Sequence, residues 1–518
     1  MEPDRDYAEQ GVSLMGPELG GNQDQFSFHD SPVQRKGGIP SIELVLENDC
    51  CVGCGACAVR GQMVMTRDAQ GCRKAHPAAG ADREALAEAS KICPFADESP
   101  NEDVHSDRLY GSLSQADDVL GRYESVFHAR IADDEEVAKS SSGGMTTFVL
   151  RELERLGAID YVIHVGAGSS ELFDYRASPA DGASEFRKSV YYSSSFEEAV
   201  RVAKSKEGRY AFVGVPCFVS ALRNLMLVDK VIEARVAYVF ALICGHMKSS
   251  LFAESLAWQV GVKPNKLKAV DFRVKKPGTA ASDYGFVASS SNGQGTAFRR
   301  SGELFGTNWG HGTFQLNACN FCDDIFGESA DATFGDAWLP EFDTIWQGTN
   351  IVVSRSGVVT KLIEQAIDNN RVIGGELTVQ QARTTQQGNI NHRRFGLMAR
   401  LAHDEMARKW VPIKRSRVLL AYRPDSRRAA ISQKRRNLSA KSFRAFETAK
   451  RWRIYSLYPI LLSPALIDYE HSYVEAKDFG AGLVPRGKII VRVARAILRG
   501  IKIDASSVKD ALRLRTKV

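Results

Sequence analysis

Ten cysteines are the residues best able to do chemistry in this 518-residue chain, and four of them form a recognisable pattern. Cys51, Cys54 and Cys57 follow a C-x2-C-x2-C spacing, and Cys93 comes 36 residues later, directly before a proline. A [4Fe–4S] cluster needs four thiolates around a compact core, and a tight loop with two-residue spacers supplies three of them. The spacing therefore predicts that these four residues bind one such cluster.

The loop between these cysteines contains Gly53 and Gly55, which let it curl so that backbone N–H groups point at the cluster sulfurs. A two-cluster ferredoxin would have a further cysteine where Gly61 stands, so we expect one cluster in this unit. A structural zinc site is the alternative, because four-cysteine zinc sites also use close cysteine pairs. Cys50 and Cys72 are left without a role.

Four more cysteines lie further along the chain. Cys217 follows a predicted strand and opens a helix, Cys244 ends another strand, and Cys319 and Cys322 form a C-x2-C pair. The carboxyl ends of parallel strands share one edge of a sheet, so Cys217 and Cys244 are expected to converge there. A helix N-terminus also favours the thiolate form. The alternative is that both are buried cysteines that behave as small apolar residues.

The elements that must position these residues follow from the hydrophobic pattern. Short β-rich runs alternate with helical patterns from 123 to 395, which is typical of a mainly parallel α/β sheet. Strands are predicted at 125–131 (as an edge strand), 159–165, 210–215, 236–243 and 351–354, and helical stripes at 145–156, 218–225 and 358–367. The fold class is therefore α/β, with a disordered leader at 1–43, a ferredoxin-like iron–sulfur module at 44–100, a polar linker at 101–122 and a basic, mostly helical extension at 396–518.

The composition, with 44% hydrophobic and 25% charged residues, is that of a chain able to bury a core, and it excludes a wholly disordered or disulfide-stapled protein. The first residues have no secretory pattern, and no apolar run reaches the roughly 18–20 residues of a membrane span. We therefore expect a cytoplasmic protein, where clustered cysteines bind metal or do redox work.

Charge is unevenly distributed along the chain. Residues 391–518 carry 30 Lys and Arg against 10 Asp and Glu, whereas residues 1–390 carry 38 against 52. Arginines beside the apolar segment 455–467 suit an anionic membrane surface, which would place the protein at the inner face of the membrane. Nucleic acid is the less favoured anionic partner. A third interpretation is that the tail docks on the protein's own acidic body or on an acidic ferredoxin.

A Ser- and Gly-rich loop connects a strand to the helix that begins near 145. Backbone and hydroxyl donors at an opening helix suit a pyrophosphate, with a lysine as counter-charge, but the loop is neither a Rossmann nor a Walker A motif. A helix cap is the alternative. Its residues are Lys139, Ser140, Ser141, Ser142, Gly143, Gly144, Met145 and Thr146.

Taken in order, the separate motifs resemble the family of beta subunits of coenzyme F420 (deazaflavin) hydrogenases and dehydrogenases. That family also includes a 7-hydroxymethyl chlorophyll a reductase and a divinyl chlorophyllide reductase. The motifs that carry the resemblance span about 47–390 and are CVGCGAC, ICPF, KSSSGGMTT, GVPCFVSALR, ICGHMKSS, ACNFCDD and ADATFGDAW.

The resemblance implies an FAD-containing iron–sulfur oxidoreductase with two [4Fe–4S] clusters. It implies that Cys217, Cys244, Cys319 and Cys322 are ligands of the second cluster and that the loop at 139–147 is part of the FAD site. Asp336 matches a family motif near the cofactors; its alternative is a turn residue that caps its own backbone.

The function implied is electron relay from a ferredoxin-like donor or reduced deazaflavin, through clusters and flavin, to a small organic acceptor. A flavin collects single electrons and delivers them as a pair, so few side-chain catalysts are required. The alternative is a non-catalytic electron-transfer subunit of a larger complex, and a zinc-stapled interaction protein is the third interpretation. The sequence allows an oligomer, but it identifies no substrate.

Overall fold

The structure is a computed structural model that describes residues 40–182, 188–293, 295–296, 298–413, 426–477 and 484–515. The predicted leader lies outside the described residues except for 40–43, where the first helix begins. The strands are β1 (Met63–Arg67), β2 (Arg73–Pro77), β3 (Gln115–Asp117), β4 (Gly121–Tyr123), β5 (Ser125–Ile131), β6 (Tyr161–Ala167), β7 (Phe173–Pro179), β8 (Tyr210–Gly214), β9 (Val236–Leu242), β10 (Leu267–Val274), β11 (Gly285–Ser290), β12 (Arg299–Arg300), β13 (Ala332–Asp336), β14 (Asn350–Ser354) and β15 (Val372–Glu376).

The helices are α1 (Ser41–Glu47), α2 (Arg83–Ile92), α3 (Glu102–Tyr110), α4 (Asp134–Ala138), α5 (Met145–Arg155), α6 (Glu197–Ser205), α7 (Pro216–Val228), α8 (Lys230–Arg235), α9 (Ser250–Gln259), α10 (Pro340–Asp343), α11 (Gly357–Asp368), α12 (Val379–Thr385), α13 (Gln387–Ile390), α14 (Gly396–Met406), α15 (Ser426–Trp452), α16 (Leu457–Lys477) and α17 (Val484–Arg515). A π-helical turn, Asn391–Phe395, joins α13 to α14.

The N-terminal unit is small and built around one hairpin. β1 and β2 pair antiparallel, with Met63 opposite Pro77, and α1 and α2 cover the hairpin. The Asp82 side chain caps α2 by accepting a hydrogen bond from the Ala85 N–H at 2.9 Å. A unit of this size buries little apolar surface of its own, so its stability depends on what it packs against.

The large sheet is mixed rather than mainly parallel, which corrects the prediction. Its strand order is β15-β5-β14-β13-β9-β8-β6-β7, and only β13, β9, β8 and β6 pair parallel to one another. β6 and β7 are joined by the short segment 168–172, which is too short for the crossover that parallel pairing needs. Strand and helix patterns identify the elements locally, but strand direction depends on connections and long-range pairing.

The strand at 125–131 has the predicted bounds but not the predicted place. β5 lies inside the sheet, between β14 and β15, and not at its edge. Its neighbour β15 lies at 372–376, far along the chain from β5. The local alternation of residues in β5 therefore could not reveal that β15 pairs with it. The predicted strands at 210–215 and 236–243 and the helical stripes near 145 and 358 are confirmed by β8, β9, α5 and α11.

The segment 101–122, whose composition indicates a linker, is ordered and packs on the large sheet's domain. In α3, buried His105 shares a 2.6 Å hydrogen bond with Asn224 of α7. Tyr110 donates to Asp331 at 2.9 Å, and Arg223 pairs with the same carboxylate at 3.1 Å. The N-terminal unit is thus joined to the large domain by a connection that is itself buried in part.

The described part of the basic extension folds back on the protein. Trp258 of α9 meets Tyr455 and Phe446 at ring-centroid distances of 5.6 and 6.1 Å, and Lys450 forms a 2.5 Å ion pair with Glu254. These contacts fit the interpretation in which the tail docks on its own body, because much of the apolar segment after 454 is core. Within the described residues, no helix has the length and apolar content needed to cross a membrane.

Candidate metal and cofactor sites

The structure brings Cys51, Cys54, Cys57 and Cys93 together beside the end of α2. Burial and the neighbouring thiols of Cys54, Cys93 and Cys51 raise the pKa of Cys57. Burial also raises the pKa of Cys93 to about 12, although the backbone N–H groups of Phe95 and Ala96 act in the opposite direction. Buried thiols that disfavour one another's charge, as those of Cys54 and Cys57 do, need a cation between them to become thiolates.

The two glycines shape the loop as predicted. Gly53 and Gly55 have φ of +77° and +86°, the left-handed region in which glycine is favoured. A Cβ on Gly55 would lie 2.3 Å from Glu197 Oε2, so the loop also needs the glycine in order to approach α6 closely. The Phe196 N–H donates to the Cys54 carbonyl at 2.9 Å, which fixes the loop on the large domain.

Beside this first thiol group a buried lysine is paired with an aspartate. Lys74 forms a 2.5 Å ion pair with Asp49 and donates to the Cys51 carbonyl at 3.0 Å. The Ala75 N–H faces the Cys51 sulfur at 3.5 Å, the kind of N–H···S contact that tunes an iron–sulfur cluster.

The second thiol group is assembled from distant parts of the chain. Cys217 lies in the first turn of α7, just after β8; Cys244 follows β9, and Cys319 and Cys322 lie in and after a 3₁₀ turn at 317–320. Burial and the thiols of Cys322, Cys244 and Cys319 raise the pKa of Cys217. β8 and β9 are parallel neighbours, which accounts for the predicted convergence of the first two cysteines.

Sequence reasoning missed the charged partner of this group, Arg393. Its buried guanidinium contacts the Cys322 sulfur and donates to the carbonyls of Cys244, Cys322 and Asp324 at 2.6, 3.2 and 3.0 Å. Burial disfavours the charged form of Arg393, but the four thiols favour it and raise the pKa of Arg393. Arg393 lies about 70 residues beyond Cys322 in a basic stretch, so no local signal distinguished it from other arginines.

The two thiol groups lie close to one another across an aromatic cluster. Tyr175 has its pKa raised by burial and then by Cys217 and Cys54, one thiol from each group. Its ring lies 5.8 Å from Phe212 and 6.0 Å from Phe196. Cys54 also raises the pKa of Cys217, so charge placed on one group is felt at the other.

In the described part of the chain, no three or more His, Cys, Asp or Glu side chains are arranged so that they could hold a single metal ion.

A small, partly open cavity lies where the Ser/Gly loop meets the end of β13. Ser141 and Ser142 of the loop and Asp336 line it together, so two separate predicted motifs meet at one site. Ser140 and the residues from Gly143 to Thr146 are not part of the cavity wall, and Met145 N–H donates to Asn350 Oδ1 at 3.0 Å at the start of α5.

The cations of this cavity are Arg273 and Lys275 rather than the predicted Lys139. Lys139 is largely exposed and pairs with Glu136 at 2.6 Å. Arg273 pairs with Asp336 at 2.6 Å, and Lys275 donates to the carbonyls of Val137 and Ser142, each at 2.8 Å. Arg273 and Lys275 come from the end of β10 and the residues after it, in a second sheet whose position the sequence pattern did not reveal.

Burial, and then the charge of Arg273, lowers the pKa of Lys275 to about 7. The buried atoms Thr349 Oγ1 and Arg273 Nε have no hydrogen-bond partner in the structure. The unpartnered Thr349 hydroxyl and Arg273 Nε–H, together with the charge of Lys275, fit an anionic group such as a diphosphate, although Asp336 already pairs with the Arg273 guanidinium.

Sequence models of one protein family match most of the large domain. The model of the N-terminal part of the coenzyme F420 hydrogenase/dehydrogenase beta subunit matches residues 126–201, and the model of its C-terminal part matches residues 207–379. The matched region contains Cys217, Cys244, Cys319, Cys322 and the whole cavity, but not the N-terminal unit or α14–α17.

A curated relative extends the likeness. A subunit of the F(420)H(2) dehydrogenase of Methanosarcina mazei is 22% identical over 372 residues, which are 68% of this chain and 94% of the relative. A chain of the solved F420-reducing [NiFe] hydrogenase complex of Methanosarcina barkeri aligns with 56% of this chain and 94% of its own length, at 18% identity and a TM-score of 0.41. By its name, the curated relative is a subunit of a dehydrogenase.

Proposed function

Because the chain belongs, through residues 126–379, to the family of coenzyme F420 hydrogenase/dehydrogenase beta subunits, we propose that it is an iron–sulfur and FAD-dependent oxidoreductase subunit. The family models that match describe a beta subunit of hydrogenases and dehydrogenases, which is a component of redox enzymes. The finer proposal is that two [4Fe–4S] clusters and one FAD connect a ferredoxin-like or deazaflavin donor to a small organic acceptor.

The observation that carries this proposal is the proximity of two buried thiol groups. Each group has four cysteines, and one thiol from each group raises the pKa of Tyr175. Cys51, Cys54, Cys57 and Cys93 would hold one cluster, and Cys217, Cys244, Cys319 and Cys322 the other. Short separation across packed aromatic rings suits single-electron transfer, and burial excludes the water and oxygen that would attack such clusters.

The cavity at Asp336 supports an adjacent flavin. Ser141, Ser142, Arg273 and Lys275 would bind its diphosphate, since they offer hydroxyl donors and two cations. Trp338 and Trp346 line the same cavity and would limit the access of water. When bound, FAD supplies the step from single electrons to an electron pair.

The second candidate is an electron-transfer subunit that reduces no small molecule by itself. The curated relative is by its name one subunit of a dehydrogenase, which favours this candidate, because a subunit can pass its electrons to a partner's site. The two candidates differ in one observable property. The isolated catalytic protein reduces an organic acceptor such as the deazaflavin, whereas the isolated transfer subunit does not until a partner is added.

Electron paramagnetic resonance of the dithionite-reduced, anaerobically purified protein tests the proposal. We expect two iron–sulfur signals that broaden one another, because the thiol groups are close. The Cys217→Ala variant should retain one signal without that broadening. A single signal in the native protein, or two signals that do not interact, would contradict the proposal.

The C-terminal helices support a further proposal, attachment to an anionic membrane surface. Ile490, Val491, Leu498 and Ile501 of α17 are exposed, and so are the basic residues between them. Apolar side chains among cations suit a helix that lies in the lipid headgroup region. Sedimentation with vesicles rich in phosphatidylglycerol, compared with phosphatidylcholine vesicles, tests it, and the Leu498→Ser variant should bind less. Equal recovery of the wild type with both vesicles would contradict it.

A further inference from the structure

The second thiol group is surrounded by buried cations. Arg393, Arg400, Arg435 and Lys248 are 2%, 0%, 6% and 2% exposed. They come from four places: the π-helical turn, α14, α15 and the segment before α9. We call these four side chains the cationic shell.

The cationic shell makes its hydrogen bonds to neutral groups and to one thiol. Beside its contact with Cys322, Arg393 donates to backbone carbonyls only. Arg435 donates to the carbonyls of Gly310 and Trp309 at 2.7 and 3.0 Å, to Gln315 Oε1 at 2.8 Å, and contacts two histidines.

The other two members are similar. Arg400 donates to the Asn320 carbonyl at 2.9 Å, and Lys248 donates to the Thr313 carbonyl at 2.5 Å while lying over the rings of Phe252 and Trp309. Among the described residues, none of the four forms a direct ion pair with a carboxylate. Asp404 is the acidic neighbour that acts on Arg400, but its own ion pair is with Arg436 at 2.6 Å.

Burying a cation without an anion is costly, and four together repel one another. Burial and the charge of Arg393 together lower the pKa of Arg435 to about 10, although Tyr469 and Cys319 act in the opposite direction. The nearby buried carboxylates of Asp323, Glu328 and Asp404 form their ion pairs with Arg394 and Arg436, outside the cationic shell. An anion held by the four thiols would therefore add counter-charge that these carboxylates do not supply through direct pairing.

We propose that Arg393, Arg400, Arg435 and Lys248 neutralise an iron–sulfur cluster held by Cys217, Cys244, Cys319 and Cys322, and raise its reduction potential above that of the N-terminal cluster. This inference rests on the proposed function and adds the direction of electron flow. A [4Fe–4S] cluster with four thiolates is a net anion and gains one more negative charge on reduction, so buried cations stabilise the reduced state more than the oxidised state.

The first thiol group offers the contrast that sets the direction. Its nearest buried cation, Lys74, is already paired with Asp49, and Glu197, a buried carboxyl group, lies beside Cys54. One electron added at the first group is therefore favoured less than one added at the second. An electron that enters at the N-terminal unit therefore passes from the first cluster to the second. The first cluster is oxidised in this step and the second cluster is reduced.

The shell also gives the basic extension a role within the domain. Arg393, Arg400 and Arg435 all lie beyond residue 379, where the match to the family models ends. Arg435 belongs to α15, whose Ser442 accepts a 2.8 Å hydrogen bond from the Phe314 N–H and helps seat the helix over the thiols. These three residues are positioning residues that act on the cluster through their charge.

The test is a potentiometric titration of the full chain, followed by electron paramagnetic resonance, in wild type and in Arg393→Gln, Arg435→Gln and Arg393→Lys. The signal that is lost in Cys57→Ala is assigned to the N-terminal cluster. We expect each Gln variant to make reduction of the second cluster at least about tenfold less favourable, which is about 59 mV for one electron. Arg393→Lys keeps the charge and should remain near wild type.

Lys434→Gln is the matched control, because it removes a charge one residue from Arg435 at a position that is one-third exposed and paired with Asp468. It should leave both potentials within about threefold of wild type. If both clusters are present and Arg435→Gln leaves the second potential unchanged, the inference is wrong and the proposed function stands. If the wild type has no second cluster, the proposed function fails and the inference fails with it. Should Arg393→Gln fail to assemble its cluster, Arg435→Gln decides.

Discussion

The two thiol groups are built in opposite ways. The first takes three of its four cysteines from one seven-residue loop, shaped by two glycines with positive φ. The second takes its cysteines from the ends of two parallel strands and from a 3₁₀ turn, and its charges from helices near the C-terminus. The geometry of the first loop is therefore set mainly by neighbouring residues, although the loop docks on α6, whereas the second site exists only when the whole domain has folded.

Removing one cysteine from each group gives the largest expected effect. Cys54→Ala should lower the iron content from about eight to about four per chain and leave the second cluster in place, because the large domain does not depend on this loop. Cys217→Ala should lose the other four. Iron quantitation with circular dichroism checks both variants. Loss of all iron in Cys217→Ala would contradict the independence of the first site.

Phe446→Ala tests whether the second site depends on the extension. Phe446 is fully buried, with its ring 5.5 Å from Phe314 and 6.1 Å from Trp258. Its truncation should cost about 3–5 kcal/mol in the free energy of unfolding, and the second cluster should be lost more readily than the first. Chemical denaturation followed by cluster absorbance measures both effects. Trp452→Ala, at a side chain 64% exposed, is the control and should change little.

Gly55→Ala tests the local coding of the first site. The new Cβ would require a strained backbone at φ +86° and would overlap Glu197, so we expect a cost of about 1–3 kcal/mol and faster loss of the first cluster to a chelator. Gly61→Ala is the matched control, since Gly61 has φ +88° but open space around it. Equal effects in the two variants would show that backbone strain alone, and not contact with α6, sets the cost.

The smallest expected effect concerns the cavity between the two predicted motifs. Because burial lowers the pKa of Lys275 to about 7, its side chain is charged below neutral pH and mostly neutral above it. Above pH 7, Lys275 must therefore take up a proton when the anionic ligand binds. Affinity for FAD should therefore fall by up to about tenfold per pH unit above pH 7, as calorimetric titration of flavin-depleted protein would measure. Lys275→Met should bind weakly without this slope, whereas Lys139→Gln should keep it. A flat wild-type profile would contradict the assignment.

Sequence reasoning predicted local features and the convergence of Cys217 with Cys244 at the ends of parallel strands, but it missed other features that depend on long-range assembly. The spacing of Cys51, Cys54 and Cys57 and the bounds of β5 could be read directly, because each depends on neighbouring residues. The mixed direction of the sheet could not, since it is set by pairing between strands far apart. Arg393 and Arg273 were missed for the same reason: an arginine carries no sign of its partner until the fold brings the thiol or the carboxylate to it.

The central claim is that this chain holds two iron–sulfur clusters and a flavin. Quantitation of iron, acid-labile sulfide and FAD in protein purified under strict exclusion of oxygen tests it most directly. We predict about eight iron, about eight sulfide and about one FAD per chain. Four iron would mean that one thiol group has another role, and a colourless protein with bound zinc would contradict the claim entirely.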